Sequence, residues 1–399
     1  MPSPVLDADQ LDAVDPLASF RDRFALPAGV RYFDGNSLGA PARGIAERVA
    51  GVIGREWREG LIGSWEAGWL ELPRRVAARL APFLGVGAGE VAVADATSVN
   101  LFKLLGAALA ARPGRRRVLA PRGNFPSDLY VARSAASLHG ADLVTVPAGD
   151  LAAAVDETTA VVTLSHVDYR SGELFDLAAL ASAAHGRGAL LLADVSHSVG
   201  AMPLRLADWS VDLAVGCGYK FLGGGPGAPA FLVVREPLQE QLISPLPGWL
   251  GHLEPFAFDE EYRPAAGVDR FLCGTPPILS LAALDAALVA WEGIDLGAVR
   301  RWAESLGDFF IALADERLAA AGVVVASPRE AARRGAQVSL RHPRSSRLVA
   351  ALGERGIVCD FRPPDVMRFG LHPLYVRHAD VAAAVAACEE LLSREGVAR

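Results

Sequence analysis

Lysine is almost missing from this chain. Among 399 residues it occurs twice, as Lys103 and Lys220, so arginine supplies nearly all the positive charge. A lysine-rich solvated face is thereby excluded, and each lysine needs its own explanation. Lys103 lies in "NLFKLL" on a predicted helix, where a surface charge is the expected reading. Lys220 stands in "GCGYKFLGGGPGAP" (216–229), beside a tyrosine and at the mouth of a glycine-rich loop, which points to chemistry. Cysteine is sparse as well: Cys217, Cys273, Cys359 and Cys388 lie far apart and form no CxxC pair. Neither a disulfide framework nor a zinc knuckle is indicated, and a reducing cytosol fits. No apolar run reaches the roughly 18 residues of a membrane span. The opening "MPSPVLDADQLDAVDPL" lacks the basic-then-apolar pattern of a signal peptide, so a cytoplasmic location is expected. A net charge of −7 and a pI near 5.7 argue against a nucleic-acid surface. The basic run "GRRRV" (114–118) reads as an exposed turn.

What is present is a large apolar inventory, 51% of the residues, enough for one large or two moderate domains. There is no repeat of fixed period. Apolar runs at 116–121, 142–147, 159–167, 188–196 and 211–217 read as buried strands, with helix candidates at 127–140 and 176–188 between them. Such alternation predicts an α/β fold with a mostly parallel sheet covered on both faces. The stretch 227–236 follows the glycine loop and suits a returning antiparallel strand. Beyond a boundary near 285, a long helical region (281–322), two strand-bearing segments (335–343 and 356–370) and a terminal helix (378–396) predict a smaller α+β domain.

In open parallel sheets, ligands bind outside the carboxyl ends of the strands. "LLLADVSHSVG" puts Asp194 and His197 at one such end, "VVTLSHVDYRSG" puts Ser165 and His166 at another, and "VDLAVGCGYKF" puts Tyr219 and Lys220 at a third. Thr97 and Ser98 precede a helix, and Phe125–Asp128, with Ser127, opens the next; hydroxyls and amides at such starts hold phosphate. The set suits pyridoxal phosphate, which needs a lysine for its aldehyde, a carboxylate at the ring nitrogen, a phosphate pocket and a stacking group. Lys220 and Asp194 fit the first two, Thr97 and Ser98 the phosphate, and Phe125 or His197 the ring face. A metal site at Asp194 and His197 lacks a third ligand. "GGGPG" lacks the lysine–serine ending of a nucleotide loop and reads as a flexible turn that lets backbone approach the cofactor.

The chain resembles the kynureninase family nearly end to end. The likeness rests on "YFDGNSLGAP" (32–41), "ATSVNLFKLL" (96–105), "NFPSDLYVA" (124–132), "LLADVSHSVGAM" (191–202), "GYKFLGGGPGAPAF" (218–231), "LPGWLGH" (246–252), "GTPPILSL" (274–281) and "VMRFGLHPLY" (366–375). It implies the pyridoxal-phosphate fold type I, with a seven-stranded sheet in a large domain (51–285), a small C-terminal domain (286–399) and an N-terminal arm (1–50) that joins the small one. It also implies hydrolysis of L-kynurenine to anthranilate and L-alanine, within tryptophan breakdown or NAD synthesis. Lys220 would carry the cofactor and Asp194 would pair with its ring nitrogen. Phe125 would stack, with His197 close by. Thr97, Ser98, Ser127, Asp128 and Tyr219 would surround the phosphate, with Ser165 near the ring. Tyr219 would also move a proton late in the reaction. Trp249 and Thr275 would reach the site of a second subunit in a homodimer. Arg368 would bind the substrate carboxylate, a planar anion suited to a guanidinium fork, and Asn36 would lie near the substrate.

Family members preferring unsubstituted kynurenine tend to carry Trp, Gly and Thr at three aryl-pocket positions, and Trp65, Gly274 and Thr275 match them here. Kynurenine is therefore expected to be preferred over its 3-hydroxy derivative. Glu66 departs from the amide expected beside Trp65. The aspartate, histidine and lysine pattern alone also suits a cysteine desulfurase or an aminotransferase. A desulfurase needs an exposed reactive cysteine, whereas Cys359 in "IVCDF" reads as part of an apolar strand. A cofactor-free binding protein is disfavoured, since a buried lysine without its chemistry is costly.

Overall fold

In the computed structural model, which describes residues 7–396, the chain opens with a short helix, Ala8–Ala13, and a two-residue strand β1 (Arg31–Tyr32). Seven strands then build the central sheet: β2 (Val91–Val93), β3 (Arg117–Pro121), β4 (Asp142–Val146), β5 (Thr159–Ser165), β6 (Leu190–Asp194), β7 (Leu213–Cys217) and β8 (Ala230–Val234). Their order is β2-β8-β7-β6-β5-β3-β4. Only β8 runs against the rest, pairing antiparallel with both β2 and β7, as the segment after the glycine loop suggested. Strands β5 to β8 are buried along their whole length, which is why they read as unbroken apolar runs rather than alternating ones.

Two apolar layers cover the sheet. One, with Leu101, Leu104, Ala132 and Ala135, packs helices Thr97–Ala110 and Pro126–Leu138 on one face. The other runs from Leu80 and Leu164 through Trp302 and Phe310 into the C-terminal part, so that part shares a continuous core with the sheet. There β9 (Val324–Val325), β10 (Gln337–Arg341), β12 (Asp360–Arg362) and β13 (Val366–Gly370) form an antiparallel sheet in the order β12-β13-β10-β9. Between them β11 (Ile357–Val358) pairs in parallel with β1. The N-terminal arm is tied down again by Asp12, whose carboxylate accepts the His378 and Ala379 amides at 2.9 and 3.0 Å and so caps the last helix, His378–Gly396. Residues 1–6 of the arm and 397–399 of the tail lie outside the described residues.

Two expectations fail. The helical region 281–322 is two helices, Ile278–Val289 and Leu296–Arg317, parted by a turn with Gly293 at φ +79° and restarted by Asp295, which caps the Gly297 and Ala298 amides. Lys103 is not a surface charge. Its side chain is fully buried, with Nζ donating to Asp95 and, at 2.8 Å, to the Phe271 carbonyl.

Candidate active site

The register of the sheet assembles the site. Ser165 on β5 lies level with Asp194 on β6, which lies level with Val215 on β7, four residues short of Tyr219. The polar residues at these strand ends therefore open onto one cavity of about 310 Å3. Thr97 and Ser98 enter it from the first turn of helix 97–110, and Ser127 and Asp128 from that of helix 126–138. The Thr97, Ser98 and Ser127 amides have no partner within these turns, so two helix starts bring free N–H groups to the same space. Phe125, His197, Tyr219 and Lys220 complete the set expected from the sequence.

The amine of Lys220 has no hydrogen-bond or ion-pair partner among the described residues; its Nζ stands 5.8 Å from the Tyr219 ring centroid. Its backbone, in contrast, is held firmly. Gly39 donates to the Tyr219 carbonyl at 2.8 Å, and a Cβ on Gly39 would stand 2.1 Å from the Lys220 oxygen. Gly223, Gly225 and Gly227 all have positive φ, and a Cβ on Gly218 would strike Leu284 and the Pro229 carbonyl. The glycines of the loop are thus required by left-handed turns and by contact with the chain itself. This corrects the reading of a flexible turn.

Two carboxylates are buried side by side in the same lining. Asp194 accepts the Ser196 amide at 2.7 Å, and Asp128 faces it across the cavity wall. Burial, then the charge of Asp194, pushes the Asp128 carboxyl well above the usual carboxylate range, despite the opposing pull of Lys220. His197 is held well below the ordinary histidine range by burial, then by Lys220, Arg368 and Arg362. Burial, then Cys217, pushes the Tyr219 hydroxyl up.

Not every expected residue lines this cavity. His166 follows Ser165 but turns away, its Nδ1 2.8 Å from the Ser198 hydroxyl. Arg368 lies behind the wall, with Nε donating to Asp360 at 2.7 Å, Nη1 to the Tyr169 carbonyl at 2.8 Å and Nη2 to Ser37 at 3.0 Å. Asn36 is buried and donates to Gln337. Trp65 packs edge-on against Trp69, Trp249 tilts against Phe256, and Gly274 and Thr275 are exposed, all away from the cavity. Missed from the sequence were Tyr169, Val167 and Ser196 in the lining, and Asn124, whose side chain accepts the Ser165 amide at 2.9 Å. Tyr169, edge-on to Phe125 at 5.2 Å, stood in the quoted strand-end stretch, where its position after the strand was the available signal.

Residues 299–388 match the profile of the kynureninase C-terminal domain. A kynureninase of Deinococcus radiodurans is 48% identical over 399 residues, covering 98% of this chain and 97% of the relative. The chain belongs to the kynureninase family. The kynureninase of Burkholderia pseudomallei strain K96243 agrees, at 45% identity over 98% of this chain and 95% of its own. In fold, the chain is similar to an apo cysteine desulfurase of Thermococcus onnurineus NA1 (TM-score 0.79, 20% identity, 94% of this chain and 98% of that one). It is also similar to a C-DES mutant with glycine covalently linked to its PLP cofactor (TM-score 0.81, 19% identity, 93% and 99%). These two show the shared type I fold. Against the desulfurase alternative, Cys359 is buried and its thiol is pushed well above the ordinary range. Among the described residues no helix is long and apolar enough to cross a membrane, and no group of three or more His, Cys, Asp or Glu is placed to hold a metal.

Proposed function

We infer that this chain is a pyridoxal-phosphate-dependent kynureninase, hydrolysing the carbon–carbon bond of L-kynurenine to give anthranilate and L-alanine. The observation that carries the reading is a strand-end cavity lined by both an unpartnered lysine amine and a buried Asp128–Asp194 pair. Two adjacent carboxylates in a dry wall need a positive partner, and a protonated ring nitrogen is a group of the right charge. The cofactor therefore fits the residues present. When bound, it supplies the electron sink that lets the carbon–carbon bond break.

The residues divide the remaining work. Lys220 Nζ would hold the cofactor and carry the substrate's α-proton. Asp194 would pair with the ring nitrogen and keep it protonated. Thr97, Ser98 and Ser127, with the amides of their helix turns, would hold the phosphate. Phe125 would stack on the ring, with His197 close by. Tyr219 Oη is the proton carrier of the later steps. Arg368 would take the α-carboxylate by exchanging part of its bonding to Asp360, Tyr169 and Ser37, with Asn36 near the substrate. Trp65, Trp249, Gly274 and Thr275, away from this chain's own cavity, serve the site of a second copy in a homodimer. Exposed apolar side chains at Leu61, Ile62 and Phe258 support such an association. A cytoplasmic enzyme of tryptophan breakdown, feeding NAD synthesis or another use of anthranilate, is the setting this activity suits.

An absorbance band that borohydride or Lys220→Ala abolishes, followed by anthranilate fluorescence on adding kynurenine, tests the assignment; no fluorescence from the loaded wild type refutes it. Through Trp65, Gly274 and Thr275 we expect kcat/KM for kynurenine to exceed that for 3-hydroxykynurenine. The reverse ratio would sink the aryl-pocket reading alone.

A further inference from the structure

Behind the strand-end site lies a second cavity, of about 670 Å3, bounded by the sheet loops on one side and by Arg300, Ala332 and Arg333 on the other. Leu174, Phe175 and Met202 give it an apolar floor, and the Trp209 ring stands edge-on to His166 at 5.7 Å. Most of its charged groups are already committed. Arg300 donates to Glu304 and to the carbonyls of Ala331 and Arg334, Arg333 pairs with Glu173, and Asp176 caps a helix at the Ala179 amide. Two groups are not. The Arg205 guanidinium makes no hydrogen bond or ion pair among the described residues and lies 6.0 Å from the Trp209 centroid. His166 is 5% exposed and bonded through Nδ1 to Ser198, while its Nε2 has no partner. In the tautomer in which Ser198 donates to Nδ1, the ring offers its Nε2 proton as a free donor. Burial holds the pKa near 4, so the imidazole is neutral at neutral pH.

One uncommitted guanidinium, one N–H donor, an indole and an apolar floor together describe a ligand. It carries a single anionic head and a flat apolar body. We propose that this cavity binds an aromatic carboxylate, its acid group held by Arg205 and His166 and its ring packed on Trp209 and Phe175. An inorganic anion would satisfy the head groups and leave the aromatic wall wet. The two cavities share a thin partition: Ser165 and His197 line the first, while their chain neighbours His166 and Ser198 make the hydrogen bond that backs the second. A ligand here therefore presses on the wall of the reaction site without entering it.

Equilibrium dialysis of the cofactor-loaded enzyme against indole-3-carboxylate tests the proposal. One saturable site per chain is expected to weaken by about tenfold or more in Arg205→Gln, as one charge-assisted pair is worth. The same site should weaken in Trp209→Leu. Arg205 is exposed and outside the reaction site, so Arg205→Gln should fold and keep the wild-type kcat/KM in the absence of the probe. Undiminished binding in that variant overturns the proposal. Displacement of the probe by inorganic phosphate as readily as by benzoate would also overturn it, since the site would then read charge alone.

Discussion

The surroundings of the two lysines are opposites. Lys103 is sealed in the layer between the sheet and helix 97–110, with its amine committed to Asp95 and the Phe271 carbonyl. Lys220 has its backbone clasped by Gly39 and Gly223 and its amine left with nothing to bind. The first spends its donors on holding the fold together; the second spends none on the described residues. Scarcity of lysine thus marks two different economies of hydrogen bonding. Burial alone does not separate them. The partner list does.

The comparison breaks most visibly at Lys220. Lys220→Ala should lower kcat by about a thousandfold or more, while its urea midpoint without cofactor stays near wild type, because no side-chain hydrogen bond or ion pair is lost. A matching loss of stability would mean that Lys220 is structural like its counterpart. Lys103→Met should do the reverse. Asp95 and the Phe271 carbonyl would lose their donor, costing about 2–3 kcal/mol, with activity per folded chain close to wild type. A third charged cluster sharpens the contrast with a smaller effect. Burial, then Asp360, pushes the Asp34 carboxyl up to about 6, and one of its oxygens has no partner. A carboxyl raised on folding stabilises the native state at low pH, and that contribution is lost as pH rises from about 4 to about 6. Asp34→Asn should flatten that decline, improving stability at pH 7 relative to pH 4 by roughly 1–2 kcal/mol. Identical pH slopes in urea unfolding of variant and wild type would remove Asp34 from the account.

Where the sequence was readable, one physical rule made it so. A strand buried on both faces must be apolar throughout, so the first polar residue marks its end, and Ser165 and Asp194 were found in this way. The lysine loop was found through glycine. The reason for its glycines was not, because Gly39 and Leu284 come from distant parts of the chain and no local pattern announces them. Arg368 shows the same limit: its partners Ser37 and Tyr169 lie 331 and 199 residues away in the chain and join Asp360 only in the folded protein. Lys103 was misread because a helix within "NLFKLL" gives no sign of which face the sheet will cover. The break at Gly293 was legible in "GID", a glycine followed by an N-capping aspartate, but the apolar flanks masked it.

The strap from Arg31 to Gly39 has a consequence for how the protein is made. Its first residues bond to Gly356 and Val358, Phe33 accepts the Gly370 amide, and its last residue grips the carbonyl next to Lys220. A nascent chain that has left the ribosome only as far as β8 already holds the lysine, the aspartate and both helix starts. It lacks the partners of the strap. The backbone beside Lys220 is gripped by a segment that is itself anchored to residues near the other end of the chain, so this edge of the cavity depends on both ends at once.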